Sequence, residues 1–337
     1  MDIQLFKDML SMDSTSSREG ALALMLAERL KTEHNKVELM PVGEDTYNLM
    51  LTWDEPVVMM CTHLDTVPPY MAPVFEGDRV SGRGTCDAKG QIMALYGACL
   101  ELERRGCKDF GLLLLASEET GSVGARWFSR TQKGCEWLIV GEPTDCMMAS
   151  AAKGTKSFHL TFTGRACHSG YPQNGRSAID GFLDFAEALR NHTFDNDTLL
   201  GETTWNIGNL MSGNPKNILS DRLQCDIYFR TTFVSDGIVE ECLRNIIVND
   251  RMLGDSVELQ AFGGDCPGYF ETFDDMASGP VAFGSDAPHL KDFRHKILCG
   301  PGSILVAHTP QEYVLLSEIE RATELYVRMY DKIKNTL

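Results

Sequence analysis

The chain has 337 residues, enough for one large domain or two ordinary ones. Its 48 acidic residues against 31 basic ones give a formal net charge of -17. That excludes the basic surface a nucleic-acid binder needs to displace counterions. The opening MDIQLFKDML carries acidic residues in its first turns and lacks a basic region followed by an apolar run, so no signal peptide is expected. No stretch reaches the roughly 18 uncharged apolar residues of a membrane span, and no membrane partner is expected. The 11 cysteines are scattered without a CxxC pair. Reduced, buried thiols in a cytoplasmic protein are expected, without a disulfide framework or a thiolate metal site.

The first helical pattern runs from Arg18 to His34, with Ser16 or Ser17 as its N-cap. Apolar runs follow at Tyr47–Trp53 and Val57–Cys61. A long helix is expected over Ala88–Arg105, closed by Gly106. Then come a strand FGLLLLAS, a helix around GARWFSR and a strand WLIVG. Continuous apolar strands alternating with helices predict a mostly parallel sheet covered on both faces.

After Lys153 the pattern changes. SFHLTFTG alternates as a half-exposed strand, and Ser177–Arg190 predicts a helix. WNIGNLMSG and RLQCDIYFRTT form a strand pair, followed by a helix over Asp236–Ile247 and a strand SVELQAF. This strand-helix-strand-strand-helix-strand order predicts a small antiparallel sheet with two helices on one face. Beyond Gly263 the chain returns to α/β character, with a strand KILCG and a helix over Gln311–Lys334. The fold class is therefore α/β with an inserted α+β domain. The expected spans are 1–153 with 263–337 for the α/β domain and 154–262 for the insert.

Chemistry collects at the ends of the apolar strands. His63 and Asp65 follow VVMMCT, Glu118 and Glu119 follow LLLLAS, and Glu142 follows WLIVG. In an open parallel sheet the carboxyl ends of the strands line one crevice, so these groups converge. Asp87 sits in the glycine-rich turn SGRGTCDAKG before the long helix, and His308 lies in GPGSILVAHTPQEYV. Carboxylates crowded together raise one another's pKa values. Divalent cations remove that penalty, and mixed imidazole and carboxylate donors suit zinc, with cobalt or manganese as alternatives. His308, and His168 in GRACHSGYPQNG, would each be ordinary polar residues if taken alone. The turn GRGTCDAKG matches neither G-x-G-x-x-G nor a P-loop, and Asp87 would repel phosphate, so a nucleotide site is rejected.

In order, HLDTVP, GRGTCDAKG, SEETGS, GEPTD, GRACHSGYP, NILSDRLQCDIYFR and GPGSILVAHTPQEY make the chain resemble the M20 family of metallopeptidases and amidohydrolases. The resemblance covers almost the whole length. It implies a zinc-exopeptidase-like α/β catalytic domain interrupted by a ferredoxin-like lid. It further implies two zinc ions bridged by Asp87, one completed by His63 and Glu142 and the other by Glu119 and His308. Glu118 would be the general base and Asp65 the partner that orients His63. From the lid, His168 would polarise the scissile carbonyl, often across a homodimer, while Asn217 and Arg230 would hold a substrate carboxylate. Cys86, Ala88 and Gln91 depart from the family's usual residues.

The ending GPGS…AHTPQEYV is similar to acetylornithine deacetylases. The expected function is therefore removal of an acetyl or succinyl group from ornithine or citrulline in arginine biosynthesis. Succinyl-diaminopimelate desuccinylase, a lysine hydrolase acting on an amino-group carrier, and a dipeptidase are the alternatives within the family. A non-catalytic binding protein of the same fold is the alternative outside enzymology, but Glu118 and the whole ligand set are present in the sequence.

Overall fold

The computed structural model describes residues 1–249 and 256–336. Residues 250–255 and 337, which fall within the expected domain spans, lie outside the described residues. Two compact units form. The first comprises Met1–Ser150, Phe270–Gly279 and Ser285–Leu337, and the second Ala151–Tyr269 and Pro280–Gly284.

In chain order the first unit begins with helices α1 (Ile3–Leu10) and α2 (Gly20–Arg29), then strands β1 (Lys36–Gly43), β2 (Thr46–Trp53) and β3 (Val58–His63). The short strands β4 (Val74–Glu76) and β5 (Arg79–Ser81) precede α3 (Lys89–Arg104), β6 (Phe110–Leu115), α4 (Val123–Thr131) and β7 (Trp137–Val140). β8 (Met148–Ala152) leads into the second unit. There the chain forms β9 (Gly154–Thr163), α5 (Ala178–Asn191), β10 (Thr204–Met211), β11 (Arg222–Thr231), α6 (Val239–Asn249) and β12 (Val257–Gly263). It returns through β13 (Gly268–Tyr269) and β14 (Ser278–Val281) to β15 (His295–Leu298), β16 (Tyr313–Leu315) and α7 (Leu316–Lys334).

The sheet of the first unit has the order β1-β2-β6-β3-β7-β15. β6, β3, β7 and β15 are parallel neighbours, whereas β1 and β2 run antiparallel at one edge. Every residue of β3 and of β6 is buried, as a sheet covered on both faces requires. Phe6 and Met9 of α1, Leu26 of α2, Leu95 of α3 and Tyr326 of α7 join strand residues in one core. Trp53 stacks on Phe110 at 4.6 Å. Burying each such large side chain contributes about 1.5–3 kcal/mol.

The two largest departures from the expected helix boundaries each have a local reason. α2 ends at Arg29, not His34, because Asn35 donates to Leu30 O at 2.9 Å and accepts from Thr32 N at 3.1 Å. That turn competes with the helix. α7 begins at Leu316, not Gln311, because Glu318 Oε2 accepts from Leu315 N at 3.1 Å and the preceding residues pair with β5.

In the second unit the antiparallel sheet has the order β10-β11-β9-β12, with α5 and α6 packed on one face, the ferredoxin-like arrangement. The alternation in β11 decides which face is covered. Leu223, Cys225, Ile227 and Phe229 are buried against Phe182, Phe185 and Leu243 of the helices. α5 is capped by Ser177, whose Oγ accepts from Asp180 N at 3.1 Å. This unit extends past residue 262 because Thr155 N donates to Asp265 O at 2.8 Å, Asp265 N donates to Thr155 Oγ1 at 3.0 Å, and Gly268 pairs with Ala152. Among the described residues no helix is long and apolar enough to cross a membrane.

Candidate metal centre

β6, β3 and β7 are parallel neighbours, so their carboxyl ends emerge side by side. His63 is the last residue of β3, Glu118 and Glu119 follow β6, and Glu142 follows β7. Asp87 arrives from the turn before α3, and His308 from the loop between β15 and β16, where it adopts a left-handed φ of 61°. All seven groups expected at this edge, Asp65 included, lie in the first unit.

Asp87 sits at the middle of the cluster. His63 Nε2 lies 2.8 Å from its Oδ1, and His308 Nε2 lies 3.2 Å from its Oδ2 and 2.9 Å from Glu119 Oε1. The donor atoms of His63, Asp87 and Glu142 lie within 4.8 Å of one another, as do those of Asp87, Glu119 and His308. The two triads share Asp87. A third grouping, His63 with Glu118 and Glu119, meets the same limit.

The electrostatics test whether this donor set suits cations. Burial drives the Glu118 and Glu142 carboxyls well above the usual carboxylate range, against the pull of His63, and neighbouring acids add to it. Burial likewise pushes Asp286, a buried neighbour, up to about 6. Hydrogen bonds to Asp87 and then Glu119 push the His308 imidazole up to about 10. Burial opposes charge on His63, yet Asp65 and Asp87 hold it well above its ordinary value. Burial would raise Asp87 too, but contacts with His308 and His63 hold it far below. The cluster thus balances its negative charge with protons, and divalent cations would replace them. The residues fit a pair of such ions.

Further residues hold the cluster in shape, and none of them was expected from the sequence to do so. Glu312, buried beside its Arg83 partner, accepts with Oε1 from the backbone N–H groups of Gly84, Cys86 and Asp87 at 2.9, 3.2 and 3.3 Å. It lies in the same motif as His308, and its position there was the only signal. Gln91, one of the departures from the family pattern, donates to Cys86 O and Pro301 O at 3.0 and 2.7 Å, tying two loops of the site together. Buried Lys89 donates to Met9 O and Met12 O, both at 2.9 Å. Asn48 spans the turn after β6, accepting from Ala116 N and donating to Gly124 O.

Asp65 differs from its expected geometry. The acceptor nearest His63 Nδ1 is the backbone carbonyl of Asp65 at 3.0 Å, and the carboxylate is at 3.4 Å. The carboxylate's closer partners are Ser16 Oγ at 2.7 Å, Glu118 N at 2.9 Å and Glu119 N at 3.2 Å. It therefore fixes the Glu118–Glu119 turn as well as facing the imidazole.

His168, Asn217 and Arg230 belong to the second unit. The loops carrying the first two are paired: His168 bridges Ile218, and Ser169 N donates to Asn217 O at 2.9 Å. Both side chains are on exposed residues. Arg230 lies over the Tyr228 ring at 4.9 Å, near the far end of β11. From Arg222 to Arg230 a strand advances roughly 26 Å at about 3.3 Å per residue. The structure thus joins His168 to Asn217 and sets Arg230 apart from both.

A carboxylate-and-imidazole cluster at the strand ends of an α/β unit, paired with a ferredoxin-like unit, defines a class of metal-dependent hydrolase. The chain belongs to the family described as peptidase family M20/M25/M40, whose profile matches residues 59–332. It is 32% identical to a peptidase M20 domain-containing protein of Schizosaccharomyces pombe, over 97% of this chain and 83% of that protein. It is 30% identical to a protein of Aspergillus clavatus named "Probable carboxypeptidase", over 98% of this chain and 88% of that one. Its fold is that of a Bacillus subtilis protein described as a dinuclear metal binding peptidase from M20 family, with a TM-score of 0.74, 12% identity and coverage of 99% and 98%. These relatives carry peptidase names, where the sequence ending had suggested a deacetylase.

Proposed function

We propose that this protein is a two-metal hydrolase that cleaves a linear amide whose leaving amine belongs to an amino acid with a free carboxylate. The observation that carries the reading is the pair of imidazoles flanking the two oxygens of Asp87, with Glu119 and Glu142 beside them. His63, Asp87 and Glu142 would hold one ion, and Asp87, Glu119 and His308 the other. A pair of zinc, cobalt or manganese ions there would polarise the amide carbonyl and acidify the attacking water.

Glu118 is the general base in this reading. It belongs to the same cluster without being needed by either triad, and burial keeps its carboxyl prone to take a proton. It accepts the water's proton and returns it to the leaving nitrogen, so the amine departs neutral. Asp65 holds the Glu118 and Glu119 backbone while the charge on Glu118 changes. A cavity of about 460 Å³ bordered by Glu119, Tyr70, Pro69 and Thr15 offers room for the acyl side of the substrate.

Small peptides are the first substrate class, supported by the peptidase names of the relatives. N-acetyl- or N-succinyl-ornithine or -citrulline is the second, supported by the resemblance of the segment around His308. His168 acts on the scissile carbonyl, and Asn217 and Arg230 on the substrate carboxylate, as the resemblance implies. Because Asn217 lies in the loop before β11 and Arg230 near that strand's far end, one copy does not bring both to one carboxylate, which favours a homodimer. The eleven free thiols favour a reducing, cytoplasmic setting.

The test is amine release from dipeptides and from acetyl- and succinyl-ornithine and -citrulline, with and without chelator. Glu118→Ala should keep its metal and lose about 10²–10⁴ in turnover. Near-parental turnover by that variant, or full activity after chelation, would sink the reading.

A further inference from the structure

Glu19 lies just before α2 and 98 residues from Ser117 in sequence, yet it is fully buried beside the turn that Ser117 opens. Its Oε1 accepts from Ser117 Oγ at 2.7 Å, and its Oε2 is buried with no hydrogen-bond partner among the described residues. Burying a carboxylate with one oxygen unsatisfied costs stability. Ser117 immediately precedes Glu118 and holds a left-handed φ of 56°, a conformation that must be stabilised by its surroundings in a residue with a side chain.

The same segment makes a second connection. Ser16 Oγ donates to Asp65 Oδ2 at 2.7 Å, and the Asp65 carboxylate accepts from Glu118 N and Glu119 N. Backbone bonds fix the segment against the exit of β3: Ser16 N donates to Thr66 O at 3.1 Å, and Thr66 N to Ser14 O at 3.0 Å. One short stretch of chain therefore grips the turn carrying Glu118 at two points, directly through Ser117 and indirectly through Asp65.

We infer that Ser14–Glu19 is a brace for the general base, with Glu19 and Ser16 as positioning residues that act through Ser117 and Asp65. The inference rests on the reading of Glu118 given above. Glu19 is fully buried away from substrate, and Ser16, though it borders the cavity given to the acyl group, directs its hydroxyl to Asp65. Their effect is to hold the Glu118 carboxylate where it meets the attacking water, and misplacement of about 1 Å in such a group lowers turnover by up to about 100-fold.

The experiment compares Glu19→Ala, Glu19→Gln, Ser16→Ala and Glu118→Ala with the parent, all metal-loaded, on a dipeptide or N-acyl amino acid the parent turns over. Glu19→Ala should lower kcat by about 10- to 100-fold with KM within about threefold and metal content unchanged. Glu19→Gln keeps an oxygen for Ser117 and should recover most of that loss. Ser16→Ala should lower kcat less. By hydrogen exchange, the Glu118 and Glu119 amides of Ser16→Ala should open about tenfold faster or more. This readout needs neither a substrate nor a successful Glu19 variant. Parental kcat in both Glu19→Ala and Ser16→Ala, or unchanged amide exchange in Ser16→Ala, overturns the brace while an inactive Glu118→Ala leaves the base in place. A Gln variant as slow as the Ala variant overturns it too, because charge rather than position would then be at work. Full activity of Glu118→Ala overturns the base, and the brace with it.

Discussion

Glu312 offers a quantitative test of how the centre is supported, because its removal leaves two kinds of buried group unsatisfied. In Glu312→Ala the Arg83 guanidinium, 3% exposed, loses its carboxylate. Breaking a buried ion pair from one side costs about 3–5 kcal/mol. The amides of Gly84, Cys86 and Asp87 lose their acceptor as well. Water entering the vacated space would satisfy part of that loss, leaving about 1 kcal/mol more. The total, about 4–6 kcal/mol, is a large share of the 5–15 kcal/mol typical of a whole domain. Arg83→Met should cost less, about 1–3 kcal/mol, since Glu312 keeps its amide donors. A carboxyl can also take a proton, which a guanidinium cannot give up. Burial already raises Glu312 above its ordinary pKa. A carboxyl raised in the folded state loses stability as pH climbs through the folded value. The Arg83→Met penalty should therefore shrink on acidification toward about pH 5, where unfolded Glu begins to protonate. Urea unfolding of chelator-treated protein, followed by fluorescence at two pH values, measures both. A Glu312→Ala loss below about 1 kcal/mol, or a larger loss for Arg83→Met, would refute this account.

Two further expectations concern the cations and the second unit. In metal-free protein the contacts with Asp87 and Glu119 hold His308 up to about 10, so it is protonated at neutral pH. A metal takes only the neutral imidazole, so apparent zinc affinity should rise with pH through the neutral range and binding should release protons. Calorimetry in two buffers of different ionisation enthalpy reads this directly, and pH-independent affinity between about 6 and 8 would contradict it. Phe162, buried and edge-on to Phe182 and Phe185 at 5.7 and 5.6 Å, anchors the core of the second unit. Phe162→Ala should cost that unit about 3–5 kcal/mol and lower its melting transition while the first unit still binds metal. A single transition at the parental temperature would rule that out.

Much of the fold was legible in the sequence because its signals are local. The unbroken apolar runs of β3 and β6 announce buried parallel strands, and the alternation of β11 announces a sheet with one covered face. A polar residue directly after a buried strand is placed at the sheet edge by geometry alone, and so His63, Glu118, Glu119 and Glu142 could be collected before any coordinates. The apolar run Tyr47–Trp53 marked β2, but β1 and its antiparallel pairing with β2 had no such signal, and neither did β16, whose three residues the helical pattern had absorbed into α7.

Most supports of the centre were not legible for a physical reason: they are hydrogen bonds between residues distant in sequence, with no periodicity to betray them. Ser16 looked like a helix cap, but its hydroxyl goes to Asp65, 49 residues on. Glu312 reaches back 228 residues to the Gly84 amide. The sequence by itself determined which groups crowd the edge of the sheet, since strand pattern and chain order are written residue by residue. Only the tertiary structure decided what holds them there, because a buried carboxylate takes whichever donors the packed chain brings within 3 Å or so.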